Sequence, residues 1–322
     1  MKRWLNPRYI PMLATAAVML GLYVTGCLSF PRFGSLRVLV NLFGDNAFLG
    51  VAAIGATFVI ISGGIDLSVG SVVAFTGILI AKLIGSGMSP MPAILLALAV
   101  GTLFGAGMGC LIHFYELPPF LVTLGGMFLA RGAGFVVHDQ SLGIEHDFYL
   151  TTISQTLAIP LSGRVRFPFT ASCFVVALMV ATLVSLYTKF GRNIYAIGSN
   201  EQSARLMGVP VGRTKIGIYA LAGFCSALGG VVATFYMQSG NPASFVGLEL
   251  DAIAAVVIGG TLLTGGVGYV PGTLMGVLIL GLIQTLITFQ GNLNSWWTKI
   301  AIGVLLLLFI VLQRSLSRSA HT

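Results

Sequence analysis

The groups able to do chemistry in this chain are a few acids and amides set beside paired glycines. Residues 62–71 read SGGIDLSVGS and residues 259–268 read GGTLLTGGVG, each interrupting a long apolar run. Asp66 lies inside the first. An ionised carboxylate at mid-bilayer costs about 2.5–3.5 kcal/mol on insertion scales, so it normally has a partner or faces water. Asp66 can contact a polar solute, or it can cap a helix beginning near Leu67 by taking free N–H groups; the cap is the favoured role. Asp45 and Asn46 sit early in the apolar run 38–61, and Glu249 and Asp251 just precede the run 252–263. They can meet a solute at a cavity mouth or complement the positive end of a helix dipole. In lipid, non-helical backbone is tolerated only where protein buries it or where it lines a cavity. Paired glycine-interrupted segments therefore point to a transport pathway. Asp45, Asn46, Ser62, Gly63, Gly64, Asp66, Glu249, Asp251, Gly259 and Gly260 are the candidates for its wall.

Other chemistry finds no constellation. His113, His138, His146 and His321 are scattered, with no HExxH or comparable spacing, and no GxSxG occurs. The nearest approach to a phosphate loop, GVPVGRT at 208–214, has the wrong spacing and Arg in place of Lys. Cys27, Cys110, Cys173 and Cys225 sit singly in apolar runs, as packing residues rather than metal ligands. No catalytic set, metal site or nucleotide site is expected.

Composition says what must position these residues. Of 322 residues, 56% are hydrophobic and 8% charged, and the mean hydropathy is +0.96; a soluble domain carries about 25% charged residues. A bilayer core of about 30 Å takes roughly 20 helical residues. Apolar runs near 12–30, 38–61, 69–84, 92–113, 120–137, 169–188, 216–237, 252–263, 270–289 and 296–312 predict an all-α polytopic membrane protein of about ten passes. Residues 12–30 also resemble a signal peptide ending at VTGC, but an uncleaved first span is favoured. Gly101, Gly105 and Gly109, and again Gly272 and Gly276, recur four apart, which lets helix backbones approach closely in lipid.

Charge orients the chain. Residues 189–215, KFGRNIYAIGSNEQSARLMGVPVGRTK, carry Lys189, Arg192, Arg205, Arg213 and Lys215 against Glu201. Such an excess marks a cytoplasmic loop. Alternate counting places Lys2, Arg3, Arg8, Arg314 and Arg318 on the same side, so both termini are expected to be cytoplasmic, with Arg32, Arg37, Arg164 and Arg166 outside. The cations flank spans, and no aromatic-interleaved basic surface suggests nucleic acid. Residues 138–167 form the longest external connection, suited to receiving a soluble partner. Within the cytoplasmic loop, NEQSARLM at 200–207 reads as a short helix with Asn200 as N-cap and Gly208 as left-handed terminator. Ala204, Leu206 and Met207 are expected to be available for contact with another protein.

These residues carry a resemblance. SGGIDLSVGS (62–71), YAIGSNEQSARLMGV (195–209), LDAIAAVVIGGTLLTGGVG (250–268) and SWWTKIAIG (295–303) are together similar to the permease subunits of bacterial ABC sugar importers of the ribose, xylose and galactofuranose family. DNAFLG (45–50), LIQT (282–285) and SWWTKIAIG most resemble the second permease subunit of galactofuranose importers, and Gln284 stands where ribose-type members typically carry Asn. The resemblance implies a single permease domain over residues 1–322, with residues 189–215 as a cytoplasmic coupling loop, in the bacterial inner membrane. It implies a second permease subunit, ATPase subunits that hold the ATP and Mg, a periplasmic sugar-binding protein and a monosaccharide substrate. It makes Gly198, Asn200, Ala204, Arg205 and Gly208 the segment that docks on the ATPase. An ion-gradient-driven secondary transporter is the competing expectation, with Asp66 as its ion-coupling acid.

Overall fold

A computed structural model of the protein describes residues 10–162, 165–294 and 296–319. Lys2, Arg3, Arg8, Arg164 and Ser295 lie outside these. The described chain is almost wholly helical: α1 (Ile10–Ser29), α2 (Leu36–Asp45), α3 (Ala47–Ile61), α4 (Val69–Gly85), α5 (Pro90–Phe114), α6 (Pro119–Val137), α7 (Phe169–Tyr187), α8 (Lys189–Ser199), α9 (Glu201–Leu206), α10 (Val211–Met237), α11 (Leu248–Ile258), α12 (Val270–Gln290) and α13 (Trp296–Ser319). Proline occupies one of the first two positions of α5, α6 and α12, where its missing N–H leaves no helical bond unmade.

By length and composition, α5, α6, α7, α10 and α12 can each cross a bilayer, and α2 with α3, bent by 53°, passes the same test only when the two are taken as one span. The apolar parts of α1, α4 and α13 are shorter among the described residues. The expected pass at 252–263 differs more. Its helix, α11, has 11 residues, about 17 Å of rise against a core of about 30 Å. It ends at Gly259, and the chain returns as α12 after an irregular loop. Ten full crossings are therefore not what helix length alone supplies.

The core is built around α3, in which every residue except Phe48 is buried, against α7, α10, α11 and α12. The bend before α3 has a local cause. Asn46 ends α2 and starts α3, and its Nδ2 donates to the Leu42 carbonyl at 2.9 Å, within the turn that breaks. Thr57 on α3 and Thr273 on α12 share a hydroxyl hydrogen bond of 2.7 Å, and Thr15 Oγ1 of α1 donates to the Ile258 carbonyl at the end of α11 at 2.6 Å. The four-apart glycines lie where the helices cross: Gly105 abuts the Tyr219 carbonyl of α10, and Gly276 abuts the Ala255 carbonyl of α11. A side chain at either would separate the backbones.

Residues 138–167, expected as the longest external connection, are partly built into the bundle. Strand β1 (Leu142–Gly143) pairs antiparallel with the later β4 (Ser239–Gly240), while β2 (Ile159–Ser162) pairs with β3 (Val165–Phe167). A π-helical segment, Phe148–Thr156, lies between them. Its Tyr149 is fully buried, with the hydroxyl 3.3 Å from Thr234 Oγ1. Burial pushes the Tyr149 phenol up to about 12, which keeps it neutral.

Candidate translocation cleft and coupling face

At one end of α3, two adjoining cavities of about 560 and 440 Å³ share Asn46, Leu49, Asp251, Gln284 and Thr288. Each polar group has a local reason to be there. Asn46 sits at the bend, and Asp251 lies in the first turn of α11. Gln284, Thr285 and Thr288 follow one another along one face of α12. Lys299, in the first turn of α13, donates to Asp251 Oδ1 at 2.8 Å and also contacts Oδ2. On the other wall, the Tyr236 hydroxyl donates to Asp45 Oδ1 at 3.1 Å. The Phe48 ring packs between Tyr236 and Phe245, with centroids 6.3 and 5.3 Å away. Carboxylates, amides, hydroxyls and aromatic faces around an open cleft suit a neutral polyhydroxylated solute.

Of the candidate path residues, Asp45, Asn46 and Asp251 meet in this cleft. Glu249 does not line it. Its Oε1 accepts from Gly247 N–H at 3.2 Å, and its Oε2 fills the space a side chain at Gly70 would need, at the start of α4. The Arg131 guanidinium attracts it electrostatically and clamps the Pro242 and Ser244 carbonyls at 2.7 and 2.5 Å. Glu249 thus helps hold the α10–α11 connection against α4 and α6.

Asp66 is also buried away from the cleft. Its Oδ1 accepts from Ser68 N–H at 2.8 Å and Ser68 Oγ at 2.7 Å. The helix begins at Val69 with Ser68 as its cap residue, so Asp66 braces the turn before α4 rather than capping a helix near Leu67. Asparagine keeps that acceptor oxygen. Asp66→Asn is expected to hold transport within about twofold, whereas Asp66→Ala leaves the Ser68 donors unpaired at about 1–3 kcal/mol. Thermal unfolding and uptake of the two variants check this, and loss of uptake in a well-folded Asn variant would assign Asp66 a charge-dependent role.

The glycines gather about 22 Å from Asn46, at the far end of α3. Gly266 N–H donates to the Ile61 carbonyl at 2.8 Å. Gly265 packs on the backbone of Gly63 and on the Gly198 carbonyl, and Gly198 itself abuts the Ile61 carbonyl. Three segments, 61–64, 198–199 and 265–266, thereby touch backbone to backbone. The Tyr195 hydroxyl donates to the Gly268 carbonyl at 2.9 Å, and burial raises its phenol, so it remains a donor. Gly64 lies against the Tyr219 hydroxyl, Ser62 Oγ donates to the Val59 carbonyl at 2.7 Å, and Gly259 packs on Gly272. Gly260, with φ +96°, turns the chain out of α11. Ser62, Gly63, Gly64, Gly259 and Gly260 line neither cavity.

The α8–α9 segment rests on this junction. Thr188 Oγ1 caps α8 by accepting from Gly191 N–H at 3.1 Å, and Asn200 Oδ1 caps α9 by accepting from Ser203 N–H at 2.8 Å. Gly208, with φ +80°, ends the turn in the left-handed region, as Val209 N–H bonds back to the Ala204 carbonyl at 3.0 Å. Glu201 pairs with Lys215 at 2.7 Å and lies 3.6 Å from Arg205. One expectation is corrected. Ala204 is fully buried against Ile197 and Val211, so it anchors α9, while Leu206 and Met207 stand 89% and 72% exposed.

Sequence reasoning did not place Tyr236, Thr288, Trp296 or Lys299 in the cleft. Lys299 reads as a snorkelling cation at a span end, and Tyr236 approaches only through the fold. The polar face of α12 was the available signal.

Comparison with known proteins fits this arrangement. Residues 38–310 match the family described as branched-chain amino acid transport system / permease component. The chain is 49% identical to the inner membrane ABC transporter permease protein YjfF of Escherichia coli (strain K12), over 96% of this chain and 93% of that one. It is 36% identical to the fructose import permease protein FruG of Bifidobacterium longum, over 97% and 92%. With the ribose import permease protein RbsC of Bacillus subtilis it shares 38% identity, over 89% and 88%. No solved structure matches. As in its relatives, the chain is a transport subunit and not itself an enzyme. The shared length and the family match together make it a member of the ABC-transporter permease family, in the branch that includes the ribose import permeases.

Proposed function

We propose that this chain is one of two different permease subunits of an ABC importer that carries a monosaccharide, galactofuranose or another pentose or hexose, across the bacterial inner membrane. The observation that carries the reading is the α8–α9 segment. It presents Leu206 and Met207 outward from a capped, buried-anchored helix, in a chain whose sequence has no phosphate loop of its own. Energy then enters from a partner. ATP and Mg sit on two copies of a separate ATPase, and residues 189–215 form the coupling loop through which its closure pushes. Gly198, Asn200, Ala204, Arg205 and Gly208 shape that loop.

Residues 1–322 act as one permease domain. Both termini are cytoplasmic, as the basic excess of 189–215 requires. A periplasmic binding protein delivers the sugar to the end of the bundle that carries the cleft, and Asp45, Asn46 and Asp251 form the wall it meets. The chain holds no cofactor. Monosaccharide import is supported by the ribose and fructose importers among the relatives; galactofuranose rests on DNAFLG, LIQT and SWWTKIAIG.

Reconstitution with the ATPase, second permease and binding protein tests the reading. Uptake is expected to require ATP and the binding protein and to survive ionophores. Uptake without ATP that collapses with an ion gradient overturns it in favour of a secondary transporter.

A further inference from the structure

The cleft is more specific than a polar hole. Gln284 projects into both cavities from the polar face of α12, and its exposed amide has no partner among the described residues. It offers a donor and an acceptor side by side, the pattern that matches two neighbouring hydroxyls. Across from it, Asn46 spends its Nδ2 on the Leu42 carbonyl, which leaves Oδ1 as an acceptor. The Asp251–Lys299 pair joins α11 to α13 on the same cavity wall. Its carboxylate lone pairs and remaining ammonium protons can accept from and donate to hydroxyls. Trp296, 71% exposed, adds an aromatic face to the larger cavity. At about 560 Å³ that cavity falls within the usual range of about 300–1,000 Å³ for small-molecule sites.

Charge sets a limit on the occupant. Asp45 and Asp251 face the cleft against the single cation Lys299 among its lining residues. Lys299 is already held by Asp251. An anionic sugar would bring a negative charge to a wall with no free cation, whereas a neutral sugar brings only hydroxyls.

We propose that this cleft is a transit site that binds a neutral monosaccharide through a vicinal diol. Gln284 is its principal reader, the Asn46 and Asp251–Lys299 groups are its other polar contacts, and Trp296 is its stacking face. The proposal rests on the sugar-importer reading, which it deepens by naming the class of sugar and the residues that select it. Because the site is open and few-toothed, binding is weak, as a transit site requires.

Binding is measured first, without ATP or partners. In the full chain in nanodiscs, Trp4→Phe with Trp297→Phe leaves Trp296 as the remaining tryptophan. Its fluorescence is expected to change saturably with millimolar D-galactose, D-ribose or D-fructose, and not with D-galacturonate. Gln284→Ala should weaken the response at least tenfold, and Gln284→Asn should restore part of it. No saturable response to any of the three neutral sugars overturns the site, and an equal response to D-galacturonate overturns the charge selection.

Uptake is measured second. In the reconstituted importer, Gln284→Ala is expected to lower uptake about tenfold while ATPase stimulation by the loaded binding protein stays within twofold. Unchanged uptake counts against the site, and parallel loss of uptake and ATPase stimulation assigns Gln284 a structural role. A wild-type complex that fails to import with ATP sinks the importer reading but leaves the fluorescence result standing.

Discussion

Replacing Leu206 and Met207 together by aspartate is expected to abolish ATP-driven uptake, by at least about 100-fold, in a chain that still inserts and folds. Both side chains stand on the surface, 89% and 72% exposed, so the fold loses little packing when they change. A docked partner would bury them, at about 1.5–3 kcal/mol for each apolar side chain. The aspartates remove that gain and put charges into a desolvated contact. A factor of 100 corresponds to about 2.7 kcal/mol, within what those losses supply. Co-purification of the ATPase and uptake into proteoliposomes are the measurements. Normal association and normal uptake would remove α9 from the docking surface.

Gly198→Ala is expected to act from inside. The added Cβ would overlap the Ile61 carbonyl oxygen and crowd Gly266 N, both of which are backbone and have no rotamer with which to yield. Overpacking of this kind costs about 1–3 kcal/mol, so the melting temperature of the detergent-solubilised complex should fall. Coupling should suffer more than stability. Ile61 ends α3 and residues 265–266 follow α11, and these two helices carry Asn46 and Asp251 to the cleft. Levering α8 off the junction changes how both are held. Uptake should drop at least tenfold while binding-protein-stimulated ATP hydrolysis persists, so that more ATP is consumed per sugar. Unchanged stoichiometry would mean that motion does not pass through this contact.

The contrast between Gly198 and Leu206 shows what could be read beforehand. Asn200 as a cap and Gly208 as a left-handed terminator follow from side-chain geometry and φ restrictions, which operate within a few residues, and α9 forms between them. The inward turn of Ala204 onto Ile197 and Val211 does not follow. In a six-residue helix the side that faces the protein is set by what α8 and α10 offer, and a small apolar residue suits either side. The resemblance makes Gly198 part of the docking segment, but its packing against Ile61 and Gly266, distant in sequence, is visible only in the fold.

The same division holds for the cleft. Asp45, Asn46 and Asp251 were visible as polar residues at the edges of apolar runs. Glu249 carried the same signal but packs at the start of α4 instead. Two acids two residues apart on a helix point about 200° from each other, so only one of them can face a given cavity. Lys299 and Tyr236 came to the cleft only through packing.

The sequence by itself determined that this is a helical membrane protein, where most of its helices run, and which polar segment faces the cytoplasm in the proposed topology. Those outcomes rest on composition, on turn-by-turn periodicity and on capping, all local or summed properties. Span counting already puts both glycine stretches on the side of the 189–215 loop and the amides and acids on the other; the tertiary structure alone decided that residues 61–64, 198–199 and 265–266 touch backbone to backbone and that Asn46, Asp251 and Gln284 share one cleft. Close backbone approach is set by which helices cross. A glycine records that something comes near, but it carries no information about what.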